Sequence, residues 1–122
     1  MTDYTATAII RKRVSLTTDD IESVVDMAGY SIGLWGVHFA EVDDEAETYA
    51  LAWTLEDGTH GSKTLRFKEI FGAWLRCAEH TEDLGMHDSY GVTFRRFDAG
   101  DIDAELADYI IQVALFGKVV FS

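Results

Sequence analysis

From Thr48 the chain alternates strictly: Tyr49, Leu51, Trp53 and Leu55 are apolar, Thr48, Ala50, Ala52 and Thr54 are small or polar, and Asp57-Gly58 follows at once. Period-two alternation marks a strand with one buried face, and an Asp-Gly pair turns such a strand back on itself. No other feature constrains the fold as much, because an antiparallel hairpin with one apolar face needs a second layer to cover it. The cover follows the return strand, which is expected over His60 to Leu65. Phe67, Ile70, Phe71, Trp74, Leu75 and Ala78 recur at helical spacing and predict an amphipathic helix, expected to be the main core helix.

The flanking segments extend this pattern. Residues 4–14 mix Thr, Ile and Val with polar positions and predict one strand. Thr17-Thr18-Asp19-Asp20 offers N-caps, with Asp19 and Glu22 spaced as a capping box. The helix that follows carries Ile21, Val24, Val25 and Ala28 on one face, with Gly29 as a left-handed stop. Gly29, Gly33 and Gly36 predict a bend or bulge entering a strand over Leu34 to Val42, and the acids from Glu41 to Glu47 predict a solvated turn. His80 to Gly91 shows neither period and reads as the longest and most mobile loop, with a short strand expected over Val92 to Phe97. Asp101 or Asp103 caps a last helix carrying Leu106, Ala107, Ile110, Ile111, Ala114 and Leu115, and Gly117 stops it. The apolar end, Val119-Val120-Phe121, is expected to dock as an edge strand or to mediate a homodimer. The fold class expected is α+β: a small antiparallel sheet of about four to five strands with about three helices packed on it. Residues 1–122 are expected to form a single domain.

Charge narrows the function classes. The 22 Asp and Glu outnumber the 10 Lys and Arg for a net charge of −12, yet 48% of residues are apolar, so the chain folds rather than solvating itself as a disordered acidic tail. A negative field repels phosphate backbones and draws basic partners, so direct nucleic-acid binding is not expected. The single Cys77 has no disulfide partner within the chain, no apolar run suits a membrane span, and Met1-Thr2-Asp3-Tyr4 lacks the features of a signal peptide. A cytoplasmic location in a host cell is the expectation.

Sites of chemistry are few. Cys77 and His80 share a helix face with Asp83 and His87 nearby, but one thiol without a second ligand motif is a poor metal set, and no third group orients a nucleophile. Asp101, Asp103 and Glu105 begin like a calcium loop, but Leu106 and Gln112 stand where Gly and Glu are required. The three glycines at 29, 33 and 36 do not have dinucleotide-loop spacing. No catalytic residue, metal or cofactor is therefore expected. Arg11-Lys12-Arg13 and Arg95-Arg96 are the basic clusters, expected to pair with the protein's own acids. Tyr30, Trp35 and Tyr90 are the aromatics most expected at the surface.

Two segments, Asp26-Met27-Ala28-Gly29-Tyr30-Ser31-Ile32-Gly33-Leu34-Trp35-Gly36 and the stretch from Asp101 to Phe121 with Ala107-Asp108-Tyr109-Ile110 and Ala114-Leu115-Phe116-Gly117, resemble small acidic proteins encoded by actinobacterial phages and prophages. This chain departs from them at Lys118, where an acid is usual. The resemblance implies a phage accessory protein. With the clustered acids, it leads to the expectation of a non-enzymatic inhibitor. Such a protein would bind a basic host protein or nucleoprotein complex and block a nucleic-acid-handling defence, in the manner of anti-CRISPR proteins, by presenting carboxylates in place of phosphates. The partner-binding residues expected are Glu41, Asp43, Asp44, Glu45 and Glu47 in one cluster, and Asp98, Asp101, Asp103 and Glu105 in another. The alternative is a phage structural or regulatory module that self-assembles through its C-terminus.

Overall fold

The computed structural model describes residues 3–7 and 13–122. Strands β1 (Asp3–Thr7) and β2 (Arg13–Thr17) pair antiparallel with Tyr4 opposite Leu16 and Ala6 opposite Val14. The segment expected to be one strand is thus a hairpin. No Gly or Pro marks a turn between Thr7 and Arg13, so periodicity alone runs the two strands together. Arg11 and Lys12 lie outside the described residues, and with them most of the first basic cluster.

Helix α1 (Thr18–Ala28) starts on a capping box: the Asp20 N–H donates to Thr17 Oγ1 at 3.2 Å and the Thr17 N–H to Asp20 Oδ2 at 2.8 Å. The box uses Thr17 and Asp20 rather than Asp19 and Glu22. The predicted stripe of Ile21, Val24, Val25 and Ala28 is buried. Gly29 does not take the left-handed conformation expected of it, with φ −56°. The right-handed coil simply continues through Gly29, Tyr30 and Ser31, whose N–H groups bond back to Val25, Met27 and Ala28. It ends in a short 3-10 turn at Ile32–Trp35. The left-handed burden falls on Gly36, at φ 131°, where any Cβ would collide with the Thr54 carbonyl.

β3 (Val37–Asp43), β4 (Thr48–Thr54) and β5 (His60–Arg66) form the predicted meander, with a register irregularity between Val37 and Phe39. Tyr49, Leu51 and Leu65 are buried on its inner face, as the alternation requires. β5 runs directly into α2 (Phe67–Glu79), whose start is closed by the Arg66 N–H donating to Glu69 Oε1 at 3.0 Å. Phe67, Ile70, Phe71, Trp74, Cys77 and Ala78 fill the core.

Where a strand is expected at Val92 to Phe97, the chain forms a short helix, α3 (Ser89–Phe94). Gly91 explains the choice. Its missing side chain lets Thr81 and the Arg95 guanidinium close over the helix, where an added Cβ would lie 2.7 and 2.6 Å from them. Phe94 is turned wholly inward, and its carbonyl accepts from Trp74 Nε1 at 3.0 Å. The preceding segment is pinned by buried Thr81, which donates to the Cys77 carbonyl at 2.6 Å, and by buried Met86. α4 (Ala104–Phe116) is capped by Asp103, whose Oδ1 accepts from the Leu106 N–H at 2.8 Å, and stopped by Gly117 at φ 80°. Every residue from Leu106 to Val113 is buried, and α4 packs against both α1 and α2. It shares the central position that the apolar stripe assigned to α2 alone.

The architecture is α+β, with one correction to the expected layout. The strands lie in two sheets, β1-β2 and β3-β4-β5, and four α-helices accompany them among the described residues. A single core unites both sheets and all four helices. No helix of the described residues is long and apolar enough to cross a membrane.

Candidate protein-binding surfaces

The first acidic cluster divides by duty. Asp43 Oδ1 accepts from the Ala46 N–H at 3.0 Å and shapes the turn between β3 and β4. Glu47, at φ 55°, is half-buried; its Oε1 accepts from the Tyr4 and Thr18 hydroxyls and ties this turn to β1 and α1. Burial and that carboxylate together push the Tyr4 phenol well above its ordinary value. Glu41, Asp44 and Glu45 remain exposed.

Asp44 meets acids from another element. The Glu22 carboxyl on α1 is pushed up, first by desolvation and then by the charges of Asp44, Asp26 and Asp19. Asp26 also adds to the burial that pushes Tyr49 up to about 12. Two acidic segments distant in sequence therefore meet on one face, and among the described residues no Lys or Arg forms an ion pair with Asp19, Glu22, Asp26 or Asp44.

The second cluster is more tied down. Asp98 Oδ1 accepts from the Gly100 N–H at 2.9 Å, Asp101 faces Arg96 at 3.9 Å, and Asp103 caps α4. Glu105 Oε1 accepts from the hydroxyls of Tyr109 at 2.8 Å and Tyr90 at 3.2 Å. Arg95 and Arg96 stand at the end of α3 rather than on a strand; Arg95 donates to the Ala78 carbonyl at 3.3 Å.

A constellation absent from the expected site residues lies between the 3-10 turn, α4 and the chain's end. Trp35 is buried, unlike exposed Tyr30, and its Nε1 donates to Asp108 Oδ1 at 2.8 Å. Gln112 Nε2 donates to the same oxygen at 3.2 Å and to the Phe121 carbonyl at 2.8 Å, while its Oε1 accepts from the N–H groups of Val120 and Phe121. Phe121 stacks on Trp35 at 5.0 Å, and the Val119 N–H donates to the Leu84 carbonyl. The tail is thus a strap held by a buried glutamine, not an edge strand. Burial pushes the Asp108 carboxyl up against the opposing pull of its bonds to Trp35 and Gln112. The signal for this cluster was present in the sequence: Asp108 and Gln112 stand four apart inside an apolar helical stripe. Beside it opens a cleft of about 730 Å³.

Cys77 is wholly buried, and desolvation pushes its thiol up to about 12, the protonated and unreactive form. His80 lies 3.9 Å from Asp83, and His87 bonds Ser89 at 2.8 Å. Among the described residues no group of three or more His, Cys, Asp or Glu is arranged to hold a metal ion. No protein-family model matches the chain, and no curated protein or solved structure matches it either.

Proposed function

We propose that the protein is a non-enzymatic binding protein that docks its acidic face on a basic, nucleic-acid-handling protein and competes with the nucleic acid for that surface. A phage-encoded inhibitor of a host defence complex, working in the host cytoplasm, is the setting we assign to it. The observation that carries the proposal is the junction of α1 with the β3–β4 turn. There, Asp44 raises the Glu22 carboxyl together with Asp26 and Asp19. Packing like charges together works against folding, and a basic partner relieves that repulsion while the field speeds its approach. Of the expected partner-binding residues, Glu41, Asp44 and Glu45 are exposed, and Asp44 joins this face. Glu47, Asp98 and Asp103 serve the fold. Assembly through Val119 to Ser122 has less support, because Gln112 and Leu84 already occupy the tail's backbone groups.

The test is affinity capture from a defence-bearing host lysate at low and high salt, followed by elution with duplex DNA. The expected result is a basic nucleoprotein complex that is captured at low salt, released by DNA, and lost when Asp19, Glu22, Asp26 and Asp44 are changed to their amides. Capture that survives both the DNA and the four changes would overturn the proposal.

A further inference from the structure

The cleft beside the strap has a chemistry of its own. Three side-chain carboxylates line it, Glu56 from the β4–β5 turn and Glu105 and Asp108 from α4, and among the described residues no Lys, Arg or His does. Both hydrogen bonds to Asp108 arrive at Oδ1, so Oδ2 takes none although the residue is only 8% exposed. No fully buried side-chain oxygen or nitrogen among the described residues lacks a partner, so Oδ2 is the corner of this carboxylate that opens to the cleft. Glu105 likewise commits Oε1 to two tyrosines. A carboxylate this desolvated is relieved either by holding a proton or by pairing with a cation, and the open Oδ2 corner leaves room for the cation.

The walls select which cation. Trp35, Tyr109 and Phe121 present aromatic surface beside the carboxylates, and Leu34, 90% exposed, and Val120, 48% exposed, form an apolar rim. A guanidinium pairs its planar fork with carboxylates and stacks on rings, and it loses less hydration than an ammonium. The cleft volume of about 730 Å³ is within the range of about 300–1,000 Å³ typical of ligand sites. The exposed rim calls for apolar groups flanking the cation, which the neighbouring residues of a protein segment supply.

We propose that this cleft receives an arginine side chain presented by a protein partner, with Asp108 and Glu105 pairing the guanidinium, Glu56 at the mouth, and Leu34 and Val120 covered by the neighbouring apolar residues of the partner. This site is separate from the face formed by α1 and the β3–β4 turn and does not depend on it.

The test is an NMR titration of the isotope-labelled protein, read at the Trp35 indole N–H, with N-acetyl-arginine amide, its lysine and citrulline counterparts, and the peptide acetyl-Ala-Leu-Arg-Leu-Ala-amide. The expected result is a saturable shift with arginine, binding roughly tenfold weaker for neutral citrulline, weaker binding for lysine than for arginine, and tighter binding for the peptide than for the single amide. Asp108→Asn and Glu105→Gln weaken the peptide, with an unchanged Trp74 indole resonance reporting that the core is intact. Glu56→Gln, at an exposed turn, weakens it without any demand on the core. The absence of a saturable shift, or equal shifts with citrulline and arginine, would overturn the proposal. Equal binding of lysine would overturn the choice of arginine. A single amide binding as tightly as the peptide would overturn the protein partner. Changing Asp19, Glu22, Asp26 and Asp44 to amides leaves this titration unaltered, so failure of the acidic face and failure of the cleft are read separately.

Discussion

Gln112 and Asp108 show how much one buried polar pair can organise. Gln112→Ala leaves the N–H groups of Val120 and Phe121 and the Phe121 carbonyl without their partner, and burying unmet polar groups costs about 1–3 kcal/mol each unless water reaches them. Denaturant unfolding of the variant is expected to lose about 2–4 kcal/mol, with the Phe121 ring resonances moving toward random-coil positions as the strap detaches. Cys77 offers a simpler check. Its buried thiol is expected to resist a disulfide-exchange reagent in the native protein and to react in step with global unfolding; fast labelling under native conditions would contradict its burial. The spacing of Asp108 and Gln112 in a helix was legible in the sequence, but Trp35, 73 residues away, was not. A glycine-flanked tryptophan reads equally well as a surface anchor or a core lid, and only the packing of the 3-10 turn on α4 decides between them.

At the level of elements, the outcome followed signal strength. The meander, α2 and α4 were legible because β4, α2 and α4 each carry a period over at least seven residues, and Asp57-Gly58 and Gly117 mark where β4 and α4 stop. The β1-β2 hairpin was not legible because nothing in the sequence punctuates it. α3 was not legible because six residues are too few for a helical period to outweigh Val92, Thr93 and Phe94, which favour strands. Tertiary contacts at Gly91 made that choice. Gly36 is the corresponding point where backbone conformation governs an element's entry. Gly36→Ala forces a side chain into positive φ against the Thr54 carbonyl at the start of β3. Thermal unfolding is expected to report a loss of at least about 1–3 kcal/mol, whereas Gly33→Ala, with open space around its position, is expected to be nearly silent.

Across the whole molecule, the surplus of acids sets the response to pH. Glu22 and Asp108 have folded-state values above their ordinary 4.5 and 3.8. The folded state holds those protons longer, so the stability they contribute is full below the ordinary values and is lost as pH rises through the raised ones. Glu69 and Asp57 are lowered, chiefly by the backbone N–H groups of Arg66 and Thr59, and contribute stability above their ordinary values that is lost as pH falls. The protein is therefore expected to melt at a higher temperature near about pH 5 than near about pH 7.5, and to lose stability again in stronger acid. Asp108→Asn, which keeps an oxygen acceptor for Trp35 and Gln112, is expected to flatten the rise between the two. The clustering of acids was plain in the sequence. Which clusters join was not, because strand and helix ends approach only in the folded chain, and because capping and turn formation claim Asp103, Asp98 and Asp43 first.

The most direct measurement of the central claim takes the variant with Asp19, Glu22, Asp26 and Asp44 all changed to amides and records its melting temperature and its capture of the nucleoprotein partner side by side. An acidic face kept for binding predicts a variant that melts at the wild-type temperature or above and no longer captures the partner. A variant that melts lower yet captures undiminished would contradict the account, because the acids would then serve the fold and not the interface.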